Sequence, residues 1–123
     1  MITGTGIDIV NINRIKKNLE EHSEKFIVKI LSEEEIKIIP SVRREEFIAG
    51  RFAAKEAIFK AISKNINNTS NWLWKNIEIY NDEKGRPIAD ISKLEIKNII
   101  SQDLSISHIE NYAMASFTLI LDN

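Results

Sequence analysis

Two carboxylates in this sequence stand where carboxylates are out of place. Asp8 lies in the run GTGIDIV, between Ile7 and Ile9, and aspartate is depleted from strands of that pattern. Glu56 lies in VRREEFIAGRFAAKEAIFKAISK, where a helical wheel gives it Ala49, Phe52 and Ala53 as neighbours rather than solvating groups. A carboxylate so placed needs a cation partner. Lys60, four residues further on in the favourable Glu-before-Lys order, offers one as a surface ion pair worth roughly a few tenths of a kcal/mol. A metal ion offers another. Asp8 also has a plain alternative, a solvent-facing strand position. Together the two carboxylates are oxygen donors of the kind that suits a hard cation such as magnesium.

Three more groups carry possible chemistry. Arg51 and Lys55 share the helical run with Glu56 and Lys60. His108 follows Ser107, near a hairpin end, where a lone histidine is more often structural or exposed. Arg86, between Gly85 and Pro87, reads first as a turn residue. Further upstream, Arg14, Lys16, Lys17, Lys25 and Lys29 interleave with apolar residues. That pattern fits a solvated face or a docking surface for an acidic partner.

The elements that must position these residues follow from periodicity. Residues 2–12 alternate as a strand, with Ile7 and Ile9 on one face and Asp8 and Val10 on the other. Asn11 or Asn13 can cap a helix from about 14 to 21, and a second short helix is expected over about 23–31. Ser32 followed by Glu35 forms a capping-box pattern that opens a third, which Pro40 ends. Residues 43–64 give the longest helical pattern, apolar on most sides, as a buried central helix requires. Residues 65–72 are rich in Asn, Ser and Thr and read as a loop. Strand, turn and strand follow around Asp82–Gly85, then an amphipathic helix over 92–100, then a closing hairpin turning near Glu110 and Asn111. The order predicts one α+β domain over residues 1–123, with an antiparallel sheet around the long helix.

Composition narrows the function. Seventeen Lys and Arg against eighteen Asp and Glu give a net charge of −1, which argues against bulk nucleic-acid binding. With no cysteine, disulfides, thiolate metal sites and cysteine nucleophiles are excluded. No segment approaches the about 20 apolar residues that span a bilayer, and no secretory signal pattern is seen, so a cytoplasmic location is expected. A glycine-rich phosphate loop of the P-loop or dinucleotide type is absent.

In order along the chain, GTGIDIV, GRFAAKEAIFKA, KNIEI followed by GRP, and SISH followed by YAMA resemble segments of the holo-acyl-carrier-protein synthases, the short bacterial 4′-phosphopantetheinyl transferases. The helical segment is the most specific, and the match runs from about residue 3 to 118. The resemblance implies a magnesium ion on Asp8 and Glu56, with Lys60 completing the catalytic set by neutralising phosphate oxygens. It implies contacts to coenzyme A from Arg51, Lys55, Lys60, Gly85, Arg86, Pro87, Ser107 and His108. It implies a carrier-protein surface at Arg14, Lys25 and Lys29, a homotrimer with active sites between subunits, and a role supporting fatty acid biosynthesis. After the long helix the chain departs from the family, with SKNINNTSN in place of a glycine-rich turn. Two other functions remain compatible with the residues. A magnesium-dependent nucleotide phosphohydrolase would use the same carboxylates with water as nucleophile. A non-enzymatic nucleotide- or RNA-binding module would show no turnover and, with RNA, a steep salt dependence.

Overall fold

A computed structural model describes residues 1–63 and 72–122. The order of elements is strand β1 (Ile2–Asn11), helices α1 (Ile12–Ile30), α2 (Glu33–Lys37) and α3 (Arg44–Ser63), then strands β2 (Glu78–Asn81), β3 (Pro87–Asp90), β4 (Ile99–Ile109) and β5 (Tyr112–Leu121). Strand β5 lies between β1 and β4 in an antiparallel sheet, and β2 and β3 form a separate hairpin. The expected α+β architecture is therefore present, with the sheet packed against the long helix.

Helix α3 can lie under a sheet because its buried side is small. Ala49, Ala53, Ala57 and Ala61, each four residues from the next, are fully buried and form a low ridge along one face. Ile48 and Ile58 flank it, also fully buried, each stabilising the fold by about 1.5–3 kcal/mol through burial. Strand β1 meets this ridge with glycine: a Cβ built on Gly6 would stand 1.8 Å from the carbonyl oxygen of Ala57. From β5, Ala113, Ala115, Phe117, Leu119 and Leu121 point into the same core, with less buried residues between them, as period-two alternation demands.

Two expectations need correction. The two short helices expected over about 14–21 and 23–31 are a single helix, α1, capped by the Asn11 side chain, which accepts from Asn13 N. Its buried residues Ile15, Leu19, Ile27 and Ile30 keep one helical stripe throughout, so nothing breaks the helix between the two halves. The amphipathic helix expected over 92–100 is only a 3₁₀ turn, Ser92–Leu94. Glu95 and Asn98 take left-handed backbone angles, and β4 begins at Ile99 paired with Leu121. Pairing with β5 outweighs local helical preference there. The loop expected over 65–72 lies, apart from Trp72, outside the described residues.

The capping box of α2 is formed as expected, and Glu35 does more than cap. Its Oε1 accepts from Ser32 N at 3.0 Å and from Lys55 Nζ at 2.5 Å, and its Oε2 accepts from Ile79 N at 3.1 Å. Lys55 Nζ also donates to the carbonyl of Ile30 at 2.7 Å. One buried ion pair thus joins α1, α2, α3 and β2. Removing either partner would leave an uncompensated buried charge, at a cost of about 3–5 kcal/mol.

Candidate functional site

On β1 the even positions face α3, and Asp8 follows Gly4 and Gly6 on that side. Its side chain is largely covered, 16% exposed, and its Oδ1 accepts from Lys60 Nζ at 3.2 Å. The same ammonium donates to the carbonyl of Ile7 at 3.0 Å. Lys60 therefore reaches across to the strand, and the surface pair between Glu56 and Lys60 that the spacing allows is not the one formed. Glu56 accepts no hydrogen bond among the described residues. Burial pushes its carboxyl above the usual range, the charge of Asp8 pushes it further, and Lys60 opposes both.

Two carboxylates thus share a half-buried corner with one ammonium. One negative charge is left over, in a place where burial already disfavours it. A divalent cation would relieve it. Among the described residues no third histidine or acid joins the pair, so the chain supplies part of a coordination shell and leaves the remainder to water or to oxygens of a ligand, as magnesium prefers.

A second feature lies around the N-terminal half of α3. A groove of about 500 Å³ is lined by residues that include Arg43, Glu46, Phe47, Arg51, Ile106 and His108. Arg51 is 7% exposed and stacks its guanidinium 3.9 Å from the Phe47 ring centre. Its Nε and Nη2 are buried without partners, and burial pulls its pKa down, opposed by the charge of Glu35. Buried donors of this kind are rare, and an anion in the groove would satisfy them. On the groove's far wall, His108 Nδ1 contacts Glu46 Oε1.

The sequence-predicted residues therefore separate. Asp8, Glu56 and Lys60 come together, while Arg51 and His108 meet at the groove. Glu56 and Arg51 are five residues apart, about 140° around the helix, so the two groups occupy different faces of α3. Lys55 is a correction: expected to contact phosphates, it is fully buried against Glu35 and has no ammonium surface to offer. Gly85 and Arg86 close the β2–β3 turn and Pro87 opens β3; Gly85 has φ 82° and Asp82 Oδ1 accepts from the N–H groups of Lys84 and Arg86, at 2.9 Å each. Those bonds, led by that from Arg86, hold the Asp82 carboxyl below its ordinary range. Ser107 is exposed on β4, opposite Met114. Arg14, Lys25 and Lys29 are all exposed on α1, within about 60° of one another around the helix axis. That common face exists only because α1 is continuous. The contact of Glu46 with His108 and that of Glu35 with Lys55 join segments far apart in the sequence. Spacing gives no sign that Glu46 meets a residue of β4, whereas the capping box had already marked Glu35.

The chain matches the family model of the 4′-phosphopantetheinyl transferase superfamily over residues 4–116. A holo-acyl-carrier-protein synthase of Halalkalibacterium halodurans is 41% identical over 122 residues, covering 97% of this chain and 96% of the relative. Among solved structures, the Bacillus anthracis holo-acyl-carrier-protein synthase in complex with coenzyme A (3′,5′-ADP) is 39% identical with a TM-score of 0.77, covering 94% of each chain. The Helicobacter pylori enzyme in complex with coenzyme A is 35% identical with a TM-score of 0.81, covering 94% of this chain and 99% of that one.

Proposed function

The chain belongs to the 4′-phosphopantetheinyl transferase superfamily, and from that premise we propose that it moves the 4′-phosphopantetheine arm of coenzyme A onto a serine of apo-acyl carrier protein. The observation that carries this reading is the corner where Asp8, Glu56 and Lys60 meet, in a fold shared with relatives bound to coenzyme A. The serine hydroxyl attacks the β-phosphorus of the donor's diphosphate and gives up its proton to solvent. The bond from that phosphorus to the bridging oxygen breaks, and adenosine 3′,5′-bisphosphate leaves with the electron pair.

Asp8 and Glu56 would hold the magnesium ion, which when bound supplies charge neutralisation across the diphosphate. Lys60 offers its half-exposed ammonium to phosphate oxygens as negative charge builds on the leaving group. Arg51 and His108 receive phosphate at the donor's adenosine end. The Gly85–Pro87 turn and Ser107 are assigned to coenzyme A on family resemblance alone. No helix among the described residues is long and apolar enough to cross a membrane, and we place the reaction in the cytoplasm, in support of fatty acid biosynthesis.

The working form is a homotrimer of one-domain chains, with each site completed by a neighbour. Two features support this. The metal corner and the Arg51 groove lie on different faces of α3, so a single donor molecule is more easily served by two copies. The outward face of the sheet also exposes Ile7, Ile9, Ile109, Tyr112 and Met114, which the strand register brings side by side. A contiguous apolar patch of this kind marks an interface. Light scattering at micromolar protein is expected to give three times the chain mass of 14.1 kDa. A monomer would contradict the assembly.

Arg14, Lys25 and Lys29 receive the acidic carrier protein. Reversing the charge in Arg14→Glu is expected to raise the KM for the carrier about tenfold, and salt is expected to weaken the wild type similarly. An unchanged KM removes Arg14 from the docking face.

Product accounting tests the function itself. With carrier present, bisphosphate should appear one for one with modified carrier, and without carrier coenzyme A should persist. Cleavage of coenzyme A that needs no carrier would favour the phosphohydrolase.

A further inference from the structure

We propose that Glu46 is a positioning residue for donor binding: it holds His108 by Nδ1 so that the ring's other nitrogen serves a phosphate in the Arg51 groove. The inference rests on reading that groove as the site of the donor's adenosine-end phosphates. The groove holds a guanidinium with two buried nitrogens, Nε and Nη2, left without partners, which calls for an anion, yet Glu46 places a carboxylate in its lining. A bare carboxylate there would repel a phosphate. Glu46 is not bare, because its Oε1 is in contact with His108 Nδ1.

That contact decides what the histidine can do. A doubly protonated imidazole has two N–H donors. With Nδ1–H given to Glu46, Nε2–H remains for a phosphate oxygen, and no described residue occupies it. The contact engages the carboxylate and fixes the ring's direction. Second partners of this kind orient a histidine that acts elsewhere. Glu46 sits in the first turn of α3 and His108 in β4, so the contact also ties two walls of the groove together. The competing explanation is purely local: an acidic residue in a helix's first turn stabilises the helix whatever else it touches.

Calorimetric binding of coenzyme A and of adenosine 3′,5′-bisphosphate to the assembled protein separates these. His108→Ala is expected to weaken both ligands about tenfold. Glu46→Ala should weaken them by a similar factor, and the double variant should be no worse than His108→Ala alone, since both remove one contact. Glu46→Gln, which still accepts from Nδ1–H, should recover most of the loss and guards against a misfolded Glu46→Ala. If His108→Ala weakens binding while both Glu46 variants bind like wild type or more tightly, the positioning role is wrong and the groove assignment stands. Additive losses in the double variant also overturn it. If neither His108→Ala nor Arg51→Ala alters either affinity, the groove is not the phosphate site and the proposal falls with it.

Discussion

Glu56→Gln is expected to lower kcat for transfer by about 10²–10³-fold, the loss seen when one preorganised group that stabilises transition-state charge is removed, while the protein stays folded. Glutamine keeps the shape of the side chain and removes the charge. In the folded protein that charge is disfavoured by burial and by Asp8, so its loss should leave the melting temperature unchanged or slightly raised. Asp8→Asn should cost a similar factor in rate. It should be less neutral for stability, because Asp8 is the acceptor for Lys60. A structural ion pair on the protein surface predicts the reverse, a change of roughly a few tenths of a kcal/mol in stability and none in rate. Rate and melting temperature measured on the same samples therefore separate the two. Wild-type kcat in Glu56→Gln at modest magnesium would remove the metal assignment.

The second large effect is expected at Gly6. An added methyl would stand 1.8 Å from Ala57 O, 2.7 Å from Ala57 C and 3.0 Å from Ala61 N. All three are backbone atoms of α3, so none can swing aside, and the strand must retreat. Overpacking of this kind costs about 1–3 kcal/mol or more. The functional loss should exceed what stability explains. Gly6 and Asp8 share a face of β1, and Ala57 is the residue after Glu56. A retreat of about 1 Å opens the distance between the carboxylates, and misplacement on that scale can cost about 10²-fold in rate. Thermal unfolding and kcat of Gly6→Ala check this. Wild-type values for both would mean that β1 does not set the geometry of the pair.

These expectations show what the residue order made legible. Asp8 and Glu56 stood out because each violates a local rule, a carboxylate in an apolar strand and a carboxylate beside alanines. The central helix stood out because it is apolar almost all round, and the middle hairpin because Asp82–Gly85 is turn chemistry. Contacts that depend on the meeting of distant segments did not show. Lys55 reads from the resemblance as a contact to coenzyme A, and only the arrival of Glu35 from α2 makes it a buried structural partner. Helical spacing allows Lys60 to pair with Glu56, yet the close approach at Gly6 brings Asp8 within its reach. The segment after Asp90 was amphipathic enough for a helix, and cross-strand pairing with β5 took its end instead. Glu46 gave no local signal at all, since its partner lies sixty-two residues away on β4.

If the Asp8–Glu56 corner moves a phosphopantetheine arm between two molecules, the acceptor must gain that mass, which intact-protein mass spectrometry reads. Apo-acyl carrier protein would be incubated with coenzyme A, magnesium and the wild-type chain, in parallel with Glu56→Gln and with a chelator. Wild type is expected to add one phosphopantetheine to each carrier, on its serine, while the variant and the chelated sample leave the carrier almost unmodified. An unmodified carrier with wild type, or equal modification with Glu56→Gln, would contradict it.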